Sequence, residues 1–500
     1  MNPRSRMRQN RNFSKSQSSN FNFEKVRLNF RNNLAREGLF FAFQIFLADC
    51  WKMVKIAVVE AFGNLRQELR ADAKAPLKID GLEKVRKHRP DLQIPLWMGL
   101  IMLIGVITMY SLSPQRAAFL NASYGGNYSQ MYFFWRQLMS LGLGLAAFVV
   151  ASRLPINWVY RHSGKFLAFG FVACILLAIL GFAGGIGPAK CELGACRWFE
   201  VGSLSVQPSE ILKVGVLLAL AVFLGAKAKA GKINDFRETI LPAGLLVLAM
   251  LLFVAGAQKD LGTAISILSI VAFQFFVAGL SWRNIRIAGI LLIVAVVGLI
   301  AVAPHRMSRV MTFLGEENCS NLSSQDSKDE YHICHAKIAI GSGGIFGAGI
   351  GNSVQATGYL PEAINDSIFA ILGETYGFIG LVIILAIFLA LILRLVRVSA
   401  YIRNPASRIL AAGVCGWFAF HTVMNVSAMI GLLPLTGITM PLLSYGGTSI
   451  LFISSVLGLV FNISAYTSFS PVDDFKEGKD EDSRSGRWVG RSRSASRRRI

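Results

Sequence analysis

The chain reads Gly358-Tyr-Leu-Pro-Glu-Ala-Ile-Asn-Asp-Ser-Ile-Phe-Ala370 where a long polar loop runs into a long apolar helix. This stretch carries Glu362 and Asp366, the last acidic residues before the apolar segment. A carboxylate so close to lipid is unfavourable unless it has a partner or a chemical task. The stretch therefore marks a border between water and membrane, and it makes Asp366 a candidate functional residue.

The composition of the whole chain predicts an all-α polytopic membrane protein. The 500 residues are 53% hydrophobic and 16% charged, whereas soluble domains carry roughly 25% charged residues. Many apolar runs approach the ~20 residues that a membrane-spanning helix needs. We predict ten transmembrane helices, at about 95–113, 133–152, 165–185, 209–227, 239–257, 261–281, 284–303, 367–396, 406–430 and 447–467.

The basic loops predict the orientation of these helices. The net charge is +22, and residues 1–94 alone hold 19 Lys and Arg against 9 Asp and Glu. Basic residues concentrate in the loops on one side, which by the positive-inside rule is the cytoplasm, together with both termini. The loop between helices 7 and 8, residues 304–366, then faces outward. It holds 4 basic and 7 acidic residues and has a net charge of −3.

Two extensions flank the predicted membrane domain, 95–467. Residues 1–94 form a basic cytoplasmic extension, predicted to be partly disordered, and residues 468–500 form an Arg-rich cytoplasmic tail. Within the first, residues 39–66 combine apolar runs with the charges of Asp49, Lys52, Lys55 and Glu60, which favours an amphipathic helix on the membrane surface over a spanning helix. Basic ends on a membrane protein indicate attraction to anionic lipid more than to nucleic acid.

Two polar loops each contain two cysteines. Cys191 and Cys196 share one loop, and Cys319 and Cys334 share the other. Local disulfides are the favoured interpretation if these loops face an oxidising compartment. Zinc ligation is the alternative, although no Cys-x-x-Cys spacing occurs.

Polar residues at the ends of the predicted helices are candidates for chemistry or for structure. Glu210 and Lys213 are three residues apart on one helical face, so they can form an ion pair within the membrane; direct contact with a substrate is the alternative. Asp260 opens helix 6, where capping of the helix accounts for a carboxylate. Arg306 and Arg309 lie at the outer surface, where they suit either phosphate groups or lipid headgroups.

Two glycine-rich segments are too apolar for solvated loops. The first runs over Ile338-Ala-Ile-Gly-Ser-Gly-Gly-Ile-Phe-Gly-Ala-Gly-Ile-Gly351, and we expect it to press into the helix bundle. The second, residues 431–449, links helices 9 and 10 and contains two prolines. A re-entrant segment that lines a cavity fits both its prolines and its apolar residues.

These motifs together resemble the SEDS family (shape, elongation, division and sporulation). The resemblance covers about Pro95 to Ser464 and rests on five motifs. They are Arg197-Trp198 with Gln207-Pro-Ser-Glu210 and Lys213, Asp260-Leu-Gly-Thr263, Ala339-Ile-Gly-Ser-Gly-Gly344, Tyr359-Leu-Pro-Glu-Ala363 with Asp366, and Pro441 with Ser444-Tyr-Gly-Gly447.

The resemblance implies a peptidoglycan glycosyltransferase that polymerises lipid II at the outer face of the bacterial cytoplasmic membrane. It makes Asp366 the catalytic residue, and it implies a class B penicillin-binding protein, a transpeptidase, as partner. Substrate contacts are expected from Arg197, Arg306, Arg309, Glu362 and Asp260. These arginines, or a divalent cation (magnesium or manganese), would offset the charge of the leaving pyrophosphate. The metal ligands are not defined by the sequence.

Several positions depart from the family's pattern. The family usually has His-Thr-Asp-Phe around the aspartate, where this chain has Ile364-Asn-Asp-Ser367. A Gln-rich pair before the glycine stretch is replaced by His332 and His335, a proline before Asp260 by Lys259, and a second glutamate after Glu374 by Thr375.

Other functions stay open at this stage. The long basic tails and the Gly437-Ile-Thr-Met-Pro-Leu segment favour a division-type member, acting at the septum with other divisome proteins, whereas Asp260-Leu-Gly-Thr263 favours an elongation-type member. Intramembrane charges such as Glu210 and Glu374 also suit a lipid II flippase. A scaffold that recruits division proteins through its tails is a third interpretation.

Overall fold

The computed structural model describes residues 88–182, 189–192, 195–201, 204–301, 307, 311 and 328–467. The predicted surface helix at 39–66, Arg306, Arg309, Cys319 and the tail 468–500 lie outside these ranges. The described α-helices are α1 Gln93–Tyr124, α2 Tyr132–Arg153, α3 Ile156–Phe182, α4 Pro208–Lys229, α5 Leu241–Leu251, α6 Leu261–Ala278, α7 Trp282–Ala301, α8 Lys328–Ser342, α9 Ile368–Tyr401, α10 Pro405–Met429 and α11 Gly447–Ser464.

The α-helical polytopic class is confirmed. Nine helices of the described ranges are long and apolar enough to cross a membrane. The fifth of them, Phe236–Gly256, begins with a π-helical turn over Phe236–Ile240 and ends within a second over Leu252–Ala257, on either side of α5. Helix α7 lies where the seventh span is predicted but is not among the nine, so the number of ten spans stays a prediction.

Helix α1 extends past its predicted end at residue 113. Pro114 marks that end in the sequence because proline usually breaks a helix, yet α1 continues to Tyr124. Its extension contacts the loop that is predicted to face outward, residues 304–366, called the outer loop below. Gln115 Nε2 donates a hydrogen bond to Gly351 O (3.0 Å), and the Phe119 ring lies against Gly358. Tertiary contacts thus outweigh the local effect of the proline.

A small antiparallel sheet between α3 and α4 is a feature that the sequence analysis did not predict. Its strands are β1 Ala189–Glu192, β2 Ala195–Val201 and β3 Leu204–Val206, in the order β1-β2-β3. Ala189 pairs with Phe199, and Phe199 in turn pairs with Val206. Strand β2 carries Arg197 and Trp198, and its aromatic and β-branched residues suit a pleated strand.

The helices pack closely where small residues meet. Helix α4 is buried along most of its length, and a Cβ atom added at Gly215 would lie 2.6 Å from the Cα of Leu167 in α3. One added at Gly413 in α10 would lie 2.5 Å from Leu217. Small residues allow such close approach in membranes, where association depends on packing more than on the hydrophobic effect.

The beginning and the end of the described bundle meet. The His88 backbone N–H donates to Ala465 O (3.0 Å), and the His88 ring nitrogen Nε2 lies 2.9 Å from Thr467 Oγ1. The Asp91 N–H donates to Ser464 Oγ at 2.9 Å. Residues 88–91 are therefore bonded directly to the end of α11.

The first glycine-rich segment docks on a break in helix α9. Gly377 has φ 65° and ψ −170°, so the helical hydrogen-bond pattern of α9 is interrupted there. The segment supplies replacement bonds: Ala348 N donates to Glu374 O (2.8 Å), and Phe378 N donates to Gly344 O (2.9 Å). A Cβ atom at Gly347 would lie only 2.3 Å from Thr375 O. The glycines thus allow two backbones to touch.

We expect Gly347→Ala to destabilise the protein markedly. The new methyl group would overlap the Thr375 carbonyl, and Gly347 also has φ 84°, which disfavours alanine. Overpacking of this kind costs about 1–3 kcal/mol, which should lower the thermal midpoint in detergent by several degrees. Gly99→Ala is the control, because nothing lies within 4 Å of a Cβ atom at that position. Equal midpoints for the two variants would contradict the docking described above.

Candidate active site

Asp366 lies half-buried in a tight turn directly before α9. The turn closes through Glu362, whose backbone has φ 50° and whose carbonyl accepts hydrogen bonds from Asn365 N (2.9 Å) and Ser367 N (3.2 Å). Glu362 itself is exposed, and its carboxylate accepts a hydrogen bond from the Asn365 side chain. Ser367 Oγ donates to Pro361 O at 2.8 Å. These bonds within the turn fix its local shape.

Two of the departures from the family's pattern bind each other at this turn. His332 Nε2 in α8 lies 2.5 Å from Ser367 Oγ, and both residues are buried. His335, one turn later, lies 2.8 Å from Gln355 Oε1 through Nδ1 and stacks on Tyr359. The histidines of α8 therefore fasten the outer loop to the stretch that carries Asp366.

The second glycine-rich segment forms the opposite wall of the site. Oδ2 of Asp366 lies 3.8 Å from the position that a Cβ atom would occupy at Gly437, where φ is 69°. Tyr445 N donates to Ile364 O at 2.9 Å, so the segment bonds directly to the Asp366 turn. The residues between α10 and α11 thus face the Asp366 carboxylate, in agreement with a re-entrant segment.

A buried amide on α10 joins these two segments. Asn425 Nδ2 donates to Asp366 O at 2.6 Å and to Ile438 O at 2.8 Å. The sequence analysis missed Asn425. The available signal was a lone amide within an apolar helix, which requires a hydrogen-bonding partner in a membrane.

Arg197 and Asp260, predicted from separate motifs, come together beside the start of α6. The Arg197 guanidinium donates to Lys259 O (2.7 Å) and Gln258 O (3.4 Å). Asp260 caps α6 by accepting from Thr263 N at 2.9 Å, and it also accepts from Gln207 Nε2 at 3.1 Å. These contacts account for both residues structurally, and their contact with a substrate stays a prediction.

This corner also reaches the wall opposite Asp366. A Cβ atom at Gly262, two residues into α6, would lie 3.2 Å from both Thr436 O and Ile438 Cγ1. The capped end of α6 therefore supports the segment that faces the Asp366 carboxylate.

Glu210 and Lys213 form a buried ion pair. Lys213 Nζ lies 2.7 Å from Glu210 Oε1 and 4.7 Å from the centre of the Trp417 ring. Trp417 Nε1 donates to His421 Nε2 (3.1 Å), which lies 2.9 Å from Ser266 Oγ. The sequence motifs indicated the pair but gave no sign of Trp417 and His421, which belong to another helix.

Glu374 also has a structural environment. Its carboxylate, 3% exposed, accepts from Ser353 Oγ (2.5 Å) and from the backbone N–H groups of Val354 (2.9 Å) and Gln355 (3.3 Å). These donors open the 3₁₀ turn Gln355–Thr357. Glu374 thus anchors the outer loop to α9.

The cysteines divide into two groups. Cys174 and Cys415 are free and buried, whereas Cys196 and Cys334 each take part in a disulfide. The backbone of Cys191 pairs with that of Cys196 across β1 and β2. Cys319 lies outside the described residues, so the pairing of Cys319 with Cys334 stays a prediction.

Comparison with known proteins places the chain in a family. The model for FtsW, RodA and SpoVE, described as "Cell cycle protein", matches residues 91–469, and the chain belongs to this family. The stage V sporulation protein E of Bacillus subtilis is 33% identical over 386 residues, which are 77% of this chain and 99% of that protein.

Further relatives share this range. The probable peptidoglycan glycosyltransferase FtsW of Geobacter metallireducens is 32% identical over 384 residues, 77% of this chain and 97% of that protein. The crystal structure of RodA from Thermus thermophilus matches with a TM-score of 0.52 and 26% identity over 75% of this chain and 96% of that one. A chain of a peptidoglycan synthase complex matches at TM-score 0.55 and 24% identity, over 75% and 97% of the two chains, which shows a shared fold.

Replacing Lys213 by methionine should destabilise the bundle strongly. The change leaves the Glu210 carboxylate buried without its cation, and loss of one partner of a buried pair costs about 3–5 kcal/mol. We expect a lower free energy of unfolding in detergent, and partial recovery in the double variant Glu210→Gln/Lys213→Met. Lys232→Met is the control, because its pair with Glu238 is exposed and should matter little. A single variant as stable as the control would contradict this account of the pair.

Proposed function

We propose that this chain is a peptidoglycan glycosyltransferase that polymerises lipid II into glycan strands at the outer face of the bacterial cytoplasmic membrane. Membership in the FtsW, RodA and SpoVE family supports the activity. The observation that carries the assignment to a residue is the placement of Asp366, whose carboxylate faces Gly437 across a site built from three separate segments.

In the proposed reaction Asp366 is the general base. Its carboxylate takes the proton from the 4-hydroxyl of the sugar of one lipid II molecule. The hydroxyl oxygen bonds to the anomeric carbon of a second, lipid-linked chain. The bond from that carbon to the pyrophosphate oxygen breaks, and the electron pair leaves with undecaprenyl pyrophosphate. The fixed backbone around Asp366 supports this role, because pre-oriented reacting groups lower the entropic part of the barrier.

The leaving pyrophosphate requires positive charge. Arg197, Arg306 and Arg309 are the proposed partners, and Glu362, exposed beside Asp366, and Asp260 are proposed substrate contacts. Within the described residues no three His, Cys, Asp or Glu side chains come together as a metal site. A magnesium or manganese ion bound chiefly by substrate phosphates stays a prediction.

The proposed partner is a class B penicillin-binding protein that cross-links the new strand. A solved relative of this fold belongs to a complex that coordinates polymerization and crosslinking, and such a complex would couple the two steps here. We further propose that the protein acts at the division septum with other divisome membrane proteins; its similarity to FtsW proteins and its basic extensions support this proposal.

Asp366→Asn should abolish polymerisation while the fold stays intact. The amide keeps the size of the side chain but cannot accept the hydroxyl proton, and loss of a general base typically lowers the rate 10²–10⁴-fold. The assay uses the purified chain with its transpeptidase and labelled lipid II, with glycan length resolved on a gel. Asp235→Asn is the control, because Asp235 only caps the turn at Phe236.

Full-rate polymerisation by Asp366→Asn would overturn the assignment of the base. Glu362→Gln in the same assay tests the neighbouring carboxylate: if only this variant were inactive, the base would be Glu362. Movement of lipid II across proteoliposomes without polymer would support the flippase alternative.

Depletion of the protein should block division and not elongation. Cells should become filaments, and a fluorescent fusion should gather at midcell. Rounded cells with the fusion along the side wall would instead assign the protein to elongation. Microscopy of a depletion strain, complemented by the wild type or by Asp366→Asn, makes the distinction and links the phenotype to the proposed activity.

A further inference from the structure

The Asp366 turn and the segment that faces it are joined by a side chain of α10, in addition to the main-chain bond from Tyr445 N to Ile364 O. The two hydrogens of the Asn425 amide nitrogen point to the carbonyls of Asp366 (2.6 Å) and Ile438 (2.8 Å). Asn425 is 1% exposed, so water does not replace these bonds readily. One amide group therefore bridges a turn and a wall that are 72 residues apart in sequence (438 − 366).

The Asp366 carbonyl is available for this bond because Asp366 lies just before Ser367, the N-cap residue of α9. Ala370 N and Ile371 N both donate to Ser367 O, at 3.0 and 3.4 Å, so the hydrogen-bond pattern of α9 begins at Ser367. The Asp366 carbonyl lies outside this pattern and accepts from Asn425 on α10.

The ψ angle of a residue fixes the direction in which its carbonyl oxygen points, so a bond that holds the oxygen also restrains ψ. Holding Asp366 O on Asn425 therefore restrains the backbone from which the Asp366 carboxylate projects. The second acceptor lies on the facing segment, since Ile438 follows Gly437, where an added Cβ atom would lie 3.8 Å from Asp366 Oδ2. The same amide nitrogen thus restrains the carboxylate and the surface that it faces.

We propose that Asn425 is a positioning residue that sets the distance between the Asp366 carboxylate and the second glycine-rich segment, of which residues 431–446 precede α11. The proposal rests on the assignment of Asp366 as the general base. Asn425 does not touch the reacting atoms in this account. It acts through two main-chain carbonyls and determines whether the carboxylate reaches the sugar hydroxyl.

The chemistry of the amide makes the proposal specific. Asn425 Oδ1 is buried and accepts no hydrogen bond from the residues that the structure describes, so the donor side of the amide is the side in use. An aspartate at this position would have the same shape, but its carboxylate would face two carbonyl oxygens. A serine would keep one donor and bridge only one of them.

Asn425→Asp and Asn425→Ser test the proposal in the lipid II polymerisation assay. A misplacement of about 1 Å can lower a rate 10²-fold. We expect turnover to fall about 10²-fold in Asn425→Asp and less in Asn425→Ser. The half-saturating lipid II concentration should stay within about twofold, because the substrate contacts are not touched.

Asn404→Ala is the matched control. Asn404 is a buried asparagine, 5% exposed, that caps the opposite end of the same helix by accepting from Ser407 N at 3.1 Å. It lies 21 residues from Asn425, about 32 Å along an α-helix. Its loss should lower the thermal midpoint and leave turnover per folded molecule within about twofold.

The outcomes separate the alternatives. Turnover within threefold of wild type in Asn425→Asp would overturn the proposal, as would a loss no greater than that of Asn404→Ala at equal stability. If Asn425→Asp fails to insert, Asn425→Ser decides: wild-type turnover overturns the proposal, and reduced turnover with unchanged half-saturation supports it. Asp366→Asn serves as reference, because an active Asp366→Asn refutes the proposed base itself.

Discussion

Main-chain N–H and C=O groups that enter a membrane must find hydrogen-bonding partners within the protein. The structure depends on this constraint wherever it departs from a regular helix. Helix α9 is broken at Gly377, and the segment around Gly344 and Ala348 bonds to the freed groups. The carbonyl of Asp366 lies before the first residue of α9, outside the helical hydrogen-bond pattern, and the Asn425 side chain donates a hydrogen bond to it. The proposed active site is thus built from irregular backbone, and each irregularity has a defined partner.

The partners come from distant parts of the chain, which gives the site its rigidity. Helix α8 contributes His332, α10 contributes Asn425, and the connection before α11 contributes Gly437 and the backbone of Tyr445. Short-range interactions alone would leave a turn of this length mobile. Contacts from three directions restrict it. Such a framework suits a base that must meet a hydroxyl at a defined distance.

Much of the architecture could be predicted because hydropathy and charge are properties of single residues that can be summed along the sequence. The positions of the apolar spans, the close docking of the first glycine segment and the pairing of Glu210 with Lys213 could be predicted from hydropathy, composition and spacing, whereas helix α8 lies inside the predicted loop 304–366 and was not predicted. Contacts between side chains of different helices or strands could not be predicted from such sums. Nothing local marks Trp417 or His421 as neighbours of Lys213, and the β-sheet around Arg197 has strands of only three to seven residues. Helix α1 is longer than the predicted span 95–113 because contacts with distant residues extend it past Pro114.

The contact of His88 with Ala465 and Thr467 has a consequence for the whole polypeptide. Because the first and last described residues touch, both extensions depart from one place on the bundle. The two ends of the described bundle could therefore be joined by a short linker and the chain opened instead in a loop between two helices, because neighbouring ends make circular permutation tolerable.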